Sequence, residues 1–275
     1  EGDFTLVFGF PGRTNEYLPA VALEQITQKV NPSRIAIREA TLNVMDEAMK
    51  KDNKTRIQYA SKQARIANAW KKWIGENLGI EKSNAIAKKR GFEANFQELV
   101  KEKGLENKYV AILPEFEKLY KEFEPINVKR NDFIEVFIRN NELMQGMFRL
   151  YQMEMTLKKG EASFNKAKES TVNRFKGIHK NYNATLDKNV YEAIMPLYSD
   201  NVDVSIYNKT KLANLDTALE VLEGTPEEVI TKINNDPAYI YAKPFVEEFY
   251  NSINPEFERI NTEINALQKT YMKAL

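Results

Sequence analysis

A mainly α-helical, irregular multi-helix domain entered through a single β-strand is the fold class this sequence predicts, on three observations. Gly (11) and Pro (10) are scarce in 275 residues, while Leu, Ile, Ala, Glu and Lys abound. Apolar residues recur at helical spacing between cap and stop signals. Only Phe4-Thr5-Leu6-Val7-Phe8, at the start, is β-branched and aromatic enough to read as a strand. Apolar residues (43%) suffice for a sizeable core, and disorder is excluded. The balance of 40 Lys+Arg against 39 Asp+Glu gives +1. That excludes a generally basic nucleic-acid binder and supplies no electrostatic attraction to an anionic membrane.

The elements follow in order. Nothing near Phe4–Phe8 can pair with it, and an unpaired strand leaves backbone donors and acceptors unsatisfied. The expectation is therefore a piece of a longer protein whose other strands complete the sheet. Gly9-Phe10-Pro11-Gly12-Arg13-Thr14 makes a tight turn. Thr14 or Asn15 then caps a helix running through Leu18 to about Lys29. Asn31-Pro32 restarts the pattern as cap and first helical residue, with Ile35, Leu42, Met45 and Met49 on one stripe. Further helices are expected over 53–76, broken at Gly79, over 81–103, and over 106–123 with an interruption at Pro114. A long amphipathic run over 128–157 ends at Gly160, and helices over 162–180, 186–199 and 209–222 follow. Thr225-Pro226-Glu227-Glu228 combines a capping box with proline at the first helical position, and Gly224 ends the preceding helix. Asn254-Pro255 repeats the cap-plus-proline device before the last helix. The count is about ten helices. Residues 1–15 hold the strand and turn, and residues 16–275 form one helical unit.

The usual chemical motifs are absent. There is no Gly-x-Ser-x-Gly elbow, phosphate-binding glycine loop or His-Glu-x-x-His. Zero cysteines exclude disulfides, thiolate nucleophiles and cysteine metal sites. His179 is the sole histidine; beside Lys176 and Lys180 it reads as a surface or boundary residue. Glu115, Glu117, Glu122 and Glu124 interleave with Lys118 and Lys121 as a solvated face. Lys71-Lys72 and Lys88-Lys89-Arg90 also read as solvated clusters. One stretch differs. At 3.6 residues per turn, the 11 residues from Ile57 to Asn68 leave them about 20° apart, with Ser61 and Ala64 on the same face. Asn68 thus sits among small residues that let another backbone or a ligand approach. Its amide either bonds a neighbouring helix or presents a donor and an acceptor to a ligand's polar end.

Three segments carry a resemblance: Gly9-Phe10-Pro11-Gly12-Arg13-Thr14, Ala67-Asn68-Ala69-Trp70-Lys71, and Gln268-Lys269-Thr270-Tyr271-Met272-Lys273. In order and spacing they resemble the bacterial dipeptidyl-peptidase 7/11 family, over essentially the whole chain. That family's members are serine exopeptidases that release dipeptides from peptide N-termini. Their fold resembles a chymotrypsin-like double β-barrel with a large inserted helical domain. The resemblance implies that residues 1–15 end the first barrel portion and that 16–275 form the helical domain gating the cleft. The catalytic His and Asp would precede this region and the Ser would follow it, so the chain alone would hold no catalytic residue and be inactive. It implies that Asn68 binds the substrate's free α-amino group, with Tyr59, Trp70 and Trp73 packed in support. Gly12 and Arg13 would anchor the barrel–helix junction. The implied partners are a peptide with a free N-terminus and the barrel portions of the same protein, with no nucleic acid, membrane, metal or cofactor. A homodimeric parent stays open, and a periplasmic or secreted location comes from the resemblance alone. The competing reading is a non-enzymatic helical binding or scaffold module, which would not begin with half a sheet.

Overall fold

The structure, a computed structural model, describes Phe4, Leu6 and residues 17–275. The rest of the expected strand, the turn with Gly12 and Arg13, and the caps Thr14 and Asn15 lie outside the described residues. Among the described residues all regular structure is helical.

The chain enters through α1 (Ala20–Gln25), which runs through a π-helical turn (Ile26–Val30) into α2 (Asn31–Lys51). Asn31 is therefore not the expected cap. Its buried side chain donates instead to Glu76 Oε2 (3.0 Å) and Asn77 Oδ1 (2.8 Å). Pro32 lacks an N–H, and the widened turn tolerates it. Asn77 Nδ2 caps the Thr27 carbonyl five residues before that proline (3.4 Å).

Asp52, extended, reverses the chain and caps α3 (Asn53–Lys82) by accepting from the Lys54 and Thr55 amides. Gly79 does not break α3. A helical glycine costs about 1 kcal/mol relative to alanine, too little to stop a helix held by packing along its length. The stop comes at Asn84, in the left-handed region at φ 52°. Next come α4 (Ala85–Glu102), the short α5 (Glu106–Tyr109) and α6 (Ile112–Phe133), with Pro114 in the first turn of α6. The expected run over 128–157 is divided. A π segment (Ile134–Asn140) ends at extended Asn141, which caps α7 (Glu142–Thr156).

Four helices follow: α8 (Glu161–His179), α9 (Ala184–Ile194), α10 (Ile206–Lys209) and α11 (Leu215–Val221). The helix expected over 209–222 is shortened to α11, because Asn214 caps its start, and α10 precedes it as a separate single turn. The capping box of α12 (Pro226–Asn234) forms as read from the sequence. Asp236 caps α13 (Pro237–Glu248), a helix the sequence reading missed. It passes through a π turn (Phe249–Ile253) into α14 (Asn254–Ala274). Asn254 caps nothing there; its Oδ1 accepts from Arg130 Nε (2.9 Å).

Two apolar cores result. The larger gathers α2, α3 and the helices from α7 to α13 around Phe133, Phe137, Met144, Met147 and Tyr191. Phe133 stacks between Phe137 (4.7 Å) and Phe249 (4.2 Å). The smaller core joins α1, α4, α6 and α14 through Ala22, Phe96, Phe116, Phe123, Ile264 and Tyr271.

Candidate functional site

Asp52 folds α3 back along α2, and the two helices wall a groove of ≈ 550 Å³. One wall is Glu39, Leu42, Asn43 and Asp46; the other is Gln63, Ala64, Ala67, Asn68, Trp70 and Lys71. The two alanines keep the α3 wall low. Gln63 Nε2 spans the walls to Asp46 Oδ1 at 3.0 Å. Asn68 is exposed, and its amide hydrogen-bonds to no described residue. Of its two sequence readings, the amide bonded to a neighbouring helix finds no such bond among the described residues. The face it shares with Ile57, itself 77% exposed, points to solvent.

The three aromatics expected around Asn68 do not all gather there. Trp70 lines the groove, and its buried indole Nε1 has no partner among the described residues. Trp73 is buried under two guanidinium groups, Arg34 at 4.6 Å and Arg38 at 4.8 Å from the ring centroid. Arg38 pairs with Glu135 Oε2 (2.7 Å) and donates to the Ile66 carbonyl (3.1 Å), so Trp73 belongs to the joint between α2, α3 and the π segment. Tyr59 is buried where α3 meets α7 and α9. Its hydroxyl donates to Glu142 Oε2 and accepts from the Asn183 amide, both at 3.0 Å. Burial, with Glu142 beside it, holds the phenol far above its ordinary range. Nine residues of helix put Tyr59 about 180° from Asn68, on the opposite face.

Other sequence candidates are structural. His179 Nδ1 lies 2.9 Å from the Phe175 carbonyl, and the half-buried ring contacts Phe175 and Tyr182. Arg90 is exposed, as expected of a solvated cluster, and also ties α4 to α1 and α6 through Glu24 and Glu117. No group of three or more potential metal-ligating residues forms among the described residues, and no described helix is long and apolar enough to cross a membrane.

The sequence reading missed the acidic wall, whose signal was the i, i+4, i+7 stripe of Glu39, Asn43 and Asp46. It also missed Asp187. This buried carboxylate accepts from the Glu142 and Leu143 amides at the start of α7 (2.7 and 3.0 Å) and from the Tyr207 and Tyr182 hydroxyls (3.0 and 3.2 Å). Burial, then nearby Glu142, outweigh these donors and push its carboxyl up to about 7.

Residues 1–205 match the family model Peptidase S46. An Asp/Glu-specific dipeptidyl-peptidase of Flavobacterium psychrophilum is 42% identical across the whole chain, and one of Capnocytophaga gingivalis is 39% identical. A dipeptidyl-peptidase 7 of Phocaeicola vulgatus is 33% identical over 74% of the chain. The chain spans 41% of the length of the first two relatives. A crystal structure of Porphyromonas endodontalis DPP11 in complex with substrate aligns over 97% of this chain and 40% of its own, with TM-score 0.66 and 16% identity. That likeness bears on the fold.

Proposed function

Because the chain belongs to the peptidase S46 family, we propose that it is the substrate-gating helical part of a serine dipeptidyl-peptidase, and that Asn68 receives the free α-amino group of the peptide. The observation that carries this is an exposed amide, without a partner among the described residues, on a groove whose α3 wall is kept low beside it by Ala64 and Ala67. An ammonium group donates in several directions, and a side-chain carbonyl oxygen accepts one of those bonds with charge assistance. Glu39 and Asp46 across the groove outnumber Lys71 on its own wall, which leaves negative potential of the right sign. A wall that holds the terminus sets how many residues reach the scissile bond. The nucleophile and its base belong, on this reading, to the parts of the protein beyond this chain. The names of the two most identical relatives cited favour acidic side chains in the released dipeptide. The exposed apolar surface of Phe92, Leu99 and Leu275, which line one groove, is where those other parts pack. A periplasmic or secreted location belongs to the same proposal, and cell fractionation tests it.

The test uses the full-length protein. kcat/KM for dipeptide release is measured for wild type and Asn68→Ala on a peptide with a free N-terminus and on its N-acetylated form. Losing a hydrogen bond to a charged group costs about 1.5–3 kcal/mol, about a ten- to 150-fold drop on the free peptide. The acetylated peptide should be a poor substrate for both proteins, with little difference between them. Equal rates on the free peptide would remove Asn68 from the site, and no dipeptide release at all would favour the binding-module reading.

A further inference from the structure

The helical unit is two bodies, one around each core, and the chain crosses between them four times. The first crossing is the π turn at Ile26–Val30, between Ala22 of the small core and Ile37 of the large one. The second is the end of α3, which carries Gly75 and Gly79 beyond Trp73 before Asn84 turns into α4. The third is α6 between Phe123 and Phe133, with Pro125 inside the helix. The fourth is the π turn at Phe249–Ile253, between Val246 and Ile260. Proline, glycine and π turns are the features at which helices bend, since each interrupts or loosens the i to i−4 ladder. Every crossing carries one.

The neck between the bodies is also polar. Gln25 Nε2 donates to the Tyr120 carbonyl (2.8 Å) and Asn127 Nδ2 to Gln25 Oε1 (3.4 Å). Asn31 bonds Asn77 (2.8 Å), and Arg130 bonds Asn254 (2.9 Å). Close-packed apolar cores resist sliding, whereas side-chain amides exchange partners with water at small net cost. Tyr17 and Leu275 both lie against the small body, and the α2–α3 groove lies on the large one.

We infer that this neck is a hinge internal to the helical unit, about which the large body carries the Asn68 groove relative to the small body that holds residues 17 and 275. The motion is a bend at four helix positions, with both cores intact, as in hinge closure generally. It is distinct from movement of the whole unit as one block, which leaves every internal distance unchanged.

The experiment is spin-label distance measurement in the full-length protein. This chain has no cysteine, so introduced ones are its only label sites once any elsewhere are replaced. Lys166→Cys on α8 with Lys101→Cys on α4 spans the neck; all label sites used are exposed. Lys166→Cys with Lys54→Cys stays on the large body, and Lys101→Cys with Lys269→Cys stays on the small one. Without peptide, the spanning pair is expected to show a distance distribution broader than both controls by several ångströms. A spanning distribution as narrow as the controls overturns the hinge. A peptide with a free N-terminus is then added at saturation. Narrowing of the spanning pair alone ties the hinge to the groove; an unchanged broad distribution counts against the groove reading and leaves the hinge standing.

Discussion

Replacing Arg38 by Met should strongly destabilise the helical unit. Arg38 is 7% exposed and holds Glu135 in a fork, Nε to Oε2 at 2.7 Å and Nη2 to Oε1 at 3.2 Å. Its third nitrogen reaches the Ile66 carbonyl at 3.1 Å, and its plane lies by Trp73. One side chain thus joins α2, α3 and the π segment. Methionine fills much of the volume but leaves the Glu135 carboxylate buried with one side-chain donor, Asn140 Nδ2 at 2.9 Å. Breaking a buried pair from one side costs about 3–5 kcal/mol. At roughly 2–4 °C per kcal/mol for a unit of this size, Tm falls by about 6–20 °C. The assay is thermal unfolding of the full-length protein, followed by helical circular dichroism at neutral pH. The double variant Arg38→Met/Glu135→Leu removes both charges, and Asn140 keeps its bond to the Glu135 backbone carbonyl (2.9 Å). It should regain most of the loss, because a buried pair gives little net stability over an apolar replacement. A single variant that loses less than about 1 kcal/mol, or a double variant as unstable as the single, would refute this account of the joint.

Three further predictions follow from the same reasoning. Asp187 holds its proton to about pH 7 when folded, against 3.8 as its ordinary value, so between those limits the native state binds more protons than the unfolded state. Its contribution is therefore fully present below the ordinary value and lost as pH rises toward 7, a loss of order a few kcal/mol. The wild-type fall in Tm from pH 5 to pH 7 should exceed that of Asp187→Asn, and parallel curves would sink the assignment. Gly224 has φ 108°, and an added Cβ would collide with the Glu228 carboxylate of the capping box. Gly224→Ala should cost about 1–3 kcal/mol in chemical denaturation, and a neutral result would contradict the strain. Thr225→Ala at the same box should cost about 1 kcal/mol, read in the same assay, because the Glu228 amide loses its acceptor.

The helical class, the capping box at Thr225 and the stops at Gly104 and Gly160 were legible in the sequence, because each depends on hydrogen bonds or dihedral limits within a few residues. The face of α3 that carries Asn68 was legible too, since helical spacing alone sets it. The same local signals misled at Asn31-Pro32 and Asn254-Pro255. Both read as helix starts, yet both lie within continuous helices. There, partners 45 and 124 residues away, Glu76 and Arg130, take the asparagine amides that would otherwise cap. The supporting aromatics also divided along tertiary lines. Trp73 answers to two arginines on α2 and Tyr59 to Glu142 on α7, neither visible from their own helix. By itself, then, the sequence determined helix type, the cap at Thr225 and which residues share a helix face with Asn68. Only the tertiary structure decided which wall faces that residue, where helices run on through π turns, and that the apolar residues divide into two cores. The physical reason is range: caps and helical periodicity act over one or two turns, whereas burial and buried-polar pairing are settled by residues distant in the chain.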